Sequence, residues 1–223
     1  MEVANETKKR LSDEIVDRRI SFAIVFQICM LITNYTFKHI LRIIDPNLRA
    51  YVSLVFMILT GMLYFKNFPS VFRRKGKTFI YIYSVSIIIF LLNIMIFPKN
   101  IEYLSEIILY YFLINIPTFV FYLAIIDKTI FFRLLIKSAY YQISLVILFF
   151  LTRNLSVHNY DMVFSYLALM PVVFLLYKYF KFKKVLDLAL SIFGIFAILA
   201  MGSRGPIVSI ILFFFIYNIF EIN

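Results

Sequence analysis

The residues best placed to do chemistry lie in one stretch, Leu199-Ala200-Met201-Gly202-Ser203-Arg204-Gly205-Pro206-Ile207-Val208, where a lone arginine stands between two apolar runs. No carboxylate is near it in sequence, so the guanidinium has no local counter-ion. Pro206 suits the first position of a helix, where its missing N–H would be an orphan anyway, with Gly205 just before it. Such a helix presents its free N–H groups and the positive end of its dipole beside Arg204, and both favour an anion. A guanidinium fork matches two phosphate oxygens at once, and the Ser203 hydroxyl adds a donor. A plainer reading also stands: a tight helical hairpin whose arginine snorkels out of an apolar layer.

Other polar residues invite shorter arguments. Asn115 and Pro117 share a turn, so the helix is expected to kink there, with Asn115 bonded to a freed carbonyl or a neighbouring helix. Glu102 and Glu106, four apart, fall on one helical face, and Glu106 sits where an apolar run begins. It then needs a partner such as Lys99, a water-filled cleft, or plain interfacial solvation. Asp187 is expected to pair with Lys183 or Lys184, and Asn34, Asn93 and Gln142 read as interhelical hydrogen-bonders. The single cysteine, Cys29, allows no intrachain disulfide and reads as a packing residue. The two histidines, His39 and His158, fall in different outer loops without metal-ligand spacing, and no metal site is expected. Phosphate-binding, dinucleotide, HExxH and EF-hand motifs do not occur in the sequence, and no cofactor is expected.

The elements that must position these residues follow from composition. Of 223 residues, 63% are hydrophobic and 16% charged, and apolar blocks of 16 to 24 residues recur along the chain. A soluble core has no use for that many blocks, whereas a bilayer requires them. The blocks do not alternate apolar with polar, which excludes a membrane β-barrel. The expected fold class is therefore all-α, a polytopic membrane protein of about eight spans. These lie at about 20–37, 50–65, 78–97, 103–126, 134–151, 163–180, 185–201 and 206–220, behind a cytoplasmic polar tail at 1–19. The first span lacks a small-residue cleavage site and should be retained.

Charge orients this layout. With the N-terminus inside, 17 of the 23 Lys and Arg residues fall on inner segments and six on outer ones, as the positive-inside rule expects. Arg204 is one of the outer six. The formal net charge of +11 thus belongs to loops facing lipid headgroups and does not point to nucleic acid. The many Ile, Phe, Tyr, Lys and Asn residues, with no Trp, match AT-rich coding and a low-GC bacterium.

The triplet Ser203-Arg204-Gly205, between a short apolar helix and a longer one, resembles the signature turn of the bacterial O-antigen ligase and Wzy-type polysaccharide polymerase family. The run from Tyr160 to Pro171 is similar to the segment two spans upstream in capsule and exopolysaccharide polymerases of that family, and Asn115 to Asp127 to an earlier span. The likeness covers about residues 100–223. It implies the N-terminal part of a GT-C-type glycosyltransferase, metal-independent and set in the bacterial cytoplasmic membrane. Such an enzyme polymerises undecaprenyl-pyrophosphate-linked repeats at the outer face, in company with the lipid bilayer and with the chain-length regulator and flippase of the pathway. It also implies that Arg204, with Ser203 and Gly205, contacts the carrier's pyrophosphate. Family members carry a further external loop with an arginine and a histidine. This chain is accordingly expected to be incomplete at its C-terminus, and neither His39 nor His158 takes that histidine's place. Two other readings stay open: a lipid-linked oligosaccharide flippase or other transporter, and a non-catalytic membrane protein.

Overall fold

A computed structural model of the chain describes residues 2–44, 48–152 and 162–221. Among them are eight α-helices: α1 (Glu2–Ile44), α2 (Leu48–Ile96), α3 (Ile101–Tyr110), α4 (Ile116–Ala124), α5 (Lys128–Thr152), α6 (Met162–Phe182), α7 (Val185–Ala200) and α8 (Arg204–Glu221). A 3₁₀ turn, Pro98–Asn100, leads into α3, and a π-helical turn, Tyr111–Asn115, joins α3 to α4. The described residues are all-α, and four helical stretches are long and apolar enough to cross a membrane: Leu11–Ile40, Tyr51–Ile96, Lys128–Thr152 and Met162–Phe182. Two compact units divide the chain, Met1–Ile24 with Gly61–Phe131, and Val25–Thr60 with Phe132–Asn223.

In the first unit the segment expected as a polar tail is helical and opens α1. The reason is local. The chain has no proline before Pro46 and no glycine before Gly61, and the segment is rich in Glu, Lys and Arg, all strong helix formers. The expected loop at 66–77 is likewise helical up to Lys75, whose backbone (φ −135°, ψ 24°) breaks α2 just before Gly76. The bend is sharp. Phe68 and Phe79 would lie about 16 Å apart along a straight helix, yet their ring centroids are 5.4 Å apart, edge to face. So the two apolar blocks expected as separate spans are the two arms of one bent helix. Its most apolar window is only 6% buried, leaving an apolar surface that suits lipid rather than water.

Arg74, one residue before the bend, reaches two carboxylates. It lies 2.7 Å from Asp13 Oδ1 and also donates to Asp17 Oδ1 and, at 3.1 Å, to the Ala124 carbonyl. Asp17 is 1% exposed and further accepts the backbone N–H groups of Ile126 (3.2 Å) and Asp127 (2.8 Å). A buried carboxylate is tolerated when its lone pairs are filled in this way. Asp127 Oδ1 in turn accepts the Thr129 N–H at 2.9 Å, capping α5.

The expected kink at Pro117 takes the form of the π-helical turn that precedes it. Proline supplies no N–H to the carbonyls behind it. Tyr83 Oη donates to the Phe112 carbonyl at 2.5 Å and Thr118 Oγ1 to that of Ile114 at 2.6 Å, so side chains take over there.

In the second unit α6 and α7 form an antiparallel hairpin linked through Lys183, held at φ 54°, and α8 packs on both. Their shared core holds Val146, Phe149, Phe164, Ala168, Val172, Leu175, Ala197, Ile198 and Met201. Gly194 permits the close approach of the hairpin's arms: a Cβ there would collide with Val172 Cγ2 and lie 3.0 Å from Ile143 Cδ1. Near the link, Asp187 is fully buried and accepts a hydrogen bond from Tyr140 Oη. Lys178 Nζ donates to that same hydroxyl, stands 4.2 Å from the centre of the tyrosine ring, and lies 3.7 Å from Asp187 Oδ2. The expected pairing of Asp187 with Lys183 or Lys184 is thus corrected to Lys178. An antiparallel arm brings the last turns of α6 beside the first turn of α7, while Lys183 and Lys184 belong to the link itself.

Other expectations are met in mixed ways. Asn34 accepts a bond from Ser53 across α1 and α2 at 3.0 Å, whereas Asn93 accepts from Asn100 in the turn that follows its own helix. Gln142 donates to Ser138 one turn back at 2.9 Å and faces the buried Cys29 Sγ at 3.9 Å.

Candidate functional site

The first residues of α8 form the candidate site, held by the hairpin on which α8 packs. Helix α7 ends at Ala200 and Met201 packs into the core, with its N–H bonded to the Ala197 carbonyl at 3.2 Å. Gly202 then takes a left-handed backbone (φ 72°), which glycine adopts without steric penalty, and its N–H returns to the Leu199 carbonyl at 2.9 Å. The chain reverses here.

Helix α8 begins at Arg204, two residues earlier than the position expected from Pro206. Proline is tolerated there because none of the first helical N–H groups has an intrahelical acceptor. Ser203 therefore stands immediately before the helix, where a serine hydroxyl normally accepts an N–H from the second or third helical residue. The third is Pro206, which has none. Ser203 is 1% exposed, and its Oγ has no hydrogen-bond partner among the described residues.

Arg204 is exposed and makes neither a hydrogen bond nor an ion pair among the described residues. Gly205 lies under Tyr166 of α6: a Cβ at that position would collide with the tyrosine hydroxyl and stand 3.0 Å from Cζ. The structure thus brings Tyr166, Ser203, Arg204 and Gly205 to one place, all within the second unit. Tyr166 belongs to the run from Tyr160 to Pro171 but carries no expected role. A tyrosine facing a glycine 39 positions away is a pairing that only the hairpin register reveals.

The remaining candidates do not join this group. Asn115, the last residue of the π-helical turn, is exposed, and the nearby carbonyls are taken by Tyr83 and Thr118 rather than by its amide. The side chain of Glu106 and all of His158 lie outside the described residues, as do Tyr160 and Asp161. His39 sits in helix α1 rather than in a loop. Its ring centroid is 4.5 Å from that of Phe149, and its buried Nε2 has no partner among the described residues. Phe149 stacks on Phe164 at 3.8 Å, so His39 lies toward the same end of α6 as Tyr166. Among the described residues no three His, Cys, Asp or Glu side chains gather as a metal site would need.

Chemically, the start of α8 offers donors and positive charge that no carboxylate among the described residues opposes, an arrangement that can hold an anion. The fold and this site define a helical protein with the apolar lengths of a membrane chain and a cationic helix start. No protein-family model matches the chain, and neither a curated protein nor a solved structure matches it.

Proposed function

We propose that this chain takes part in polymerising undecaprenyl-pyrophosphate-linked oligosaccharide repeats into surface polysaccharide, and that the start of α8 holds the carrier's pyrophosphate. The layout this requires has about eight spans, an inside N-terminus and Arg204 at the outer face of a bacterial cytoplasmic membrane. In support of it, α2 has two apolar arms and the helices Tyr111–Ala124, Val185–Ala200 and Arg204–Tyr217, though shorter, are apolar. The observation that carries the reading is Arg204 itself, exposed and unpaired among the described residues at a helix start. As a glycosidic bond to the carrier breaks, the departing pyrophosphate gathers negative charge. A fixed guanidinium and helix-end N–H groups stabilise that charge without a metal. The resemblance of Ser203-Arg204-Gly205 to the polymerase signature turn supports the same assignment. No catalytic base is assigned.

Replacing Arg204 by Ala and by Lys in the gene and measuring surface polymer length tests this reading. Polymer output should fall about 10²-fold in the alanine variant. The lysine variant should recover only part of it, because a point charge does not reproduce the guanidinium fork. Normal polymer from both variants at normal expression would sink the reading.

One observation favours a lipid-linked oligosaccharide transporter as the second reading. The π-helical turn Tyr111–Asn115 interrupts an apolar helix, as the discontinuous helices of transporters do. Translocation of a lipid-linked oligosaccharide by purified protein in vesicles, independent of Arg204, would favour it over polymerisation.

A further inference from the structure

We propose that Tyr166 is a ligand group of this site, its hydroxyl donating to an oxygen of the phosphate-type anion held at the start of α8. The inference rests on the anion-binding reading above and adds a residue that the signature turn does not contain. Three observations meet at Tyr166.

Its hydroxyl lies so close to the backbone at Gly205 that a Cβ there would have to push the tyrosine aside, so glycine at that position lets the tyrosine keep its place. It thereby faces the first turn of α8, where helical N–H groups lack acceptors. Next to it, Ser203 is 1% exposed with an unpartnered hydroxyl, a polar atom that a native fold rarely leaves unsatisfied. Finally, Arg204 brings a full positive charge that no described carboxylate neutralises. Two hydroxyls, helix-start N–H groups and a guanidinium make a donor-rich set. The complement of such a set is an anion with several oxygens, a phosphate or pyrophosphate on a lipid or free in solution.

The test uses the full chain in lipid nanodiscs, with farnesyl pyrophosphate and inorganic pyrophosphate as probes. Binding is measured for the native protein and for Y166F, G205A, the Y166F/G205A double variant and R204A, with melting temperatures alongside. Y166F removes one hydroxyl from a partly exposed ring. It should weaken farnesyl pyrophosphate about five-fold with an unchanged melting temperature. G205A should weaken binding in the native background but much less on top of Y166F, because the group that the new methyl displaces is already gone. Preference for the farnesyl probe identifies a lipid headgroup and equal binding of both probes a free anion, and Tyr166 is a ligand in either case. Native-like binding by Y166F alongside loss in R204A would remove Tyr166 and leave the Arg204 reading standing. Binding untouched by R204A, or absent from the native protein, would overturn both.

Discussion

A carboxylate withdrawn from water depends on the groups that replace its hydration, and two of the described residues are in that position. Asp187 has Tyr140 and Lys178, and Asp17 has Arg74 and two backbone N–H groups. Removing one partner of such a buried pair strands the other. Lys178→Met should therefore lower the unfolding free energy by about 3–5 kcal/mol, while Lys178→Met with Asp187→Leu should lose much less. Detergent or urea unfolding of the purified protein checks this, and equal losses from the single and double variants would contradict it. Arg74→Ala should cost a similar amount, about 3–5 kcal/mol by the same reasoning, since Asp17 stays buried. In the linear sequence, Asp17 and Arg74 look like ordinary inner-side charges, 57 residues apart. Nothing in their spacing predicts the pairing, because it depends on where α1 meets the bend of α2. Arg204, by contrast, was legible as an unpaired cation because no carboxylate lies near it in sequence.

At the scale of elements, two contacts set the α6–α7 hairpin along its length, Lys178 with Asp187 and Val172 with Gly194, and beyond its open end Tyr166 meets Gly205 of α8. Gly194→Ala should destabilise the second unit by about 1–3 kcal/mol through overpacking, and Val172→Ala should relieve it. A thermal shift in the single variant that the second substitution does not reduce would place the cause elsewhere. Helix existence was readable from apolar run length, but helix ends were not. The polar start of α1 continues as helix because nothing in it breaks one, and the 66–77 stretch stays helical through Pro69 up to the break at Lys75. At the start of α8 the sequence pointed to Pro206 as the opening residue. The structure starts the helix at Arg204, since proline is compatible with any of the first few positions.

For the whole molecule, the prediction concerns sidedness. Cys29 is the chain's one cysteine, so a Cys29→Ser background carries no thiol. A cysteine introduced at Arg204 should react with a membrane-impermeant maleimide from outside intact cells, and one at Lys75 only after permeabilisation. Labelling of both from the same side would reject the eight-span layout. The same pair of sites reports on α2, whose bend must return the chain across the bilayer for its two arms to serve as two spans.

By itself the sequence determined the class of this protein. Long apolar runs separated by short basic segments can be satisfied only by helices in an apolar medium, because backbone polar groups there must bond within their own segment. It also singled out Ser203, Arg204 and Gly205, since a charged residue in a glycine-flanked turn between such runs stands out without any fold. What only the tertiary structure decided is which distant residues complete each polar group: Arg74 for Asp17, Lys178 and Tyr140 for Asp187, Tyr166 for the start of α8. Those choices follow from helix register and the direction of each bend. A single residue's shift in register turns a side chain by about 100° around its helix, and composition and spacing leave that rotation open.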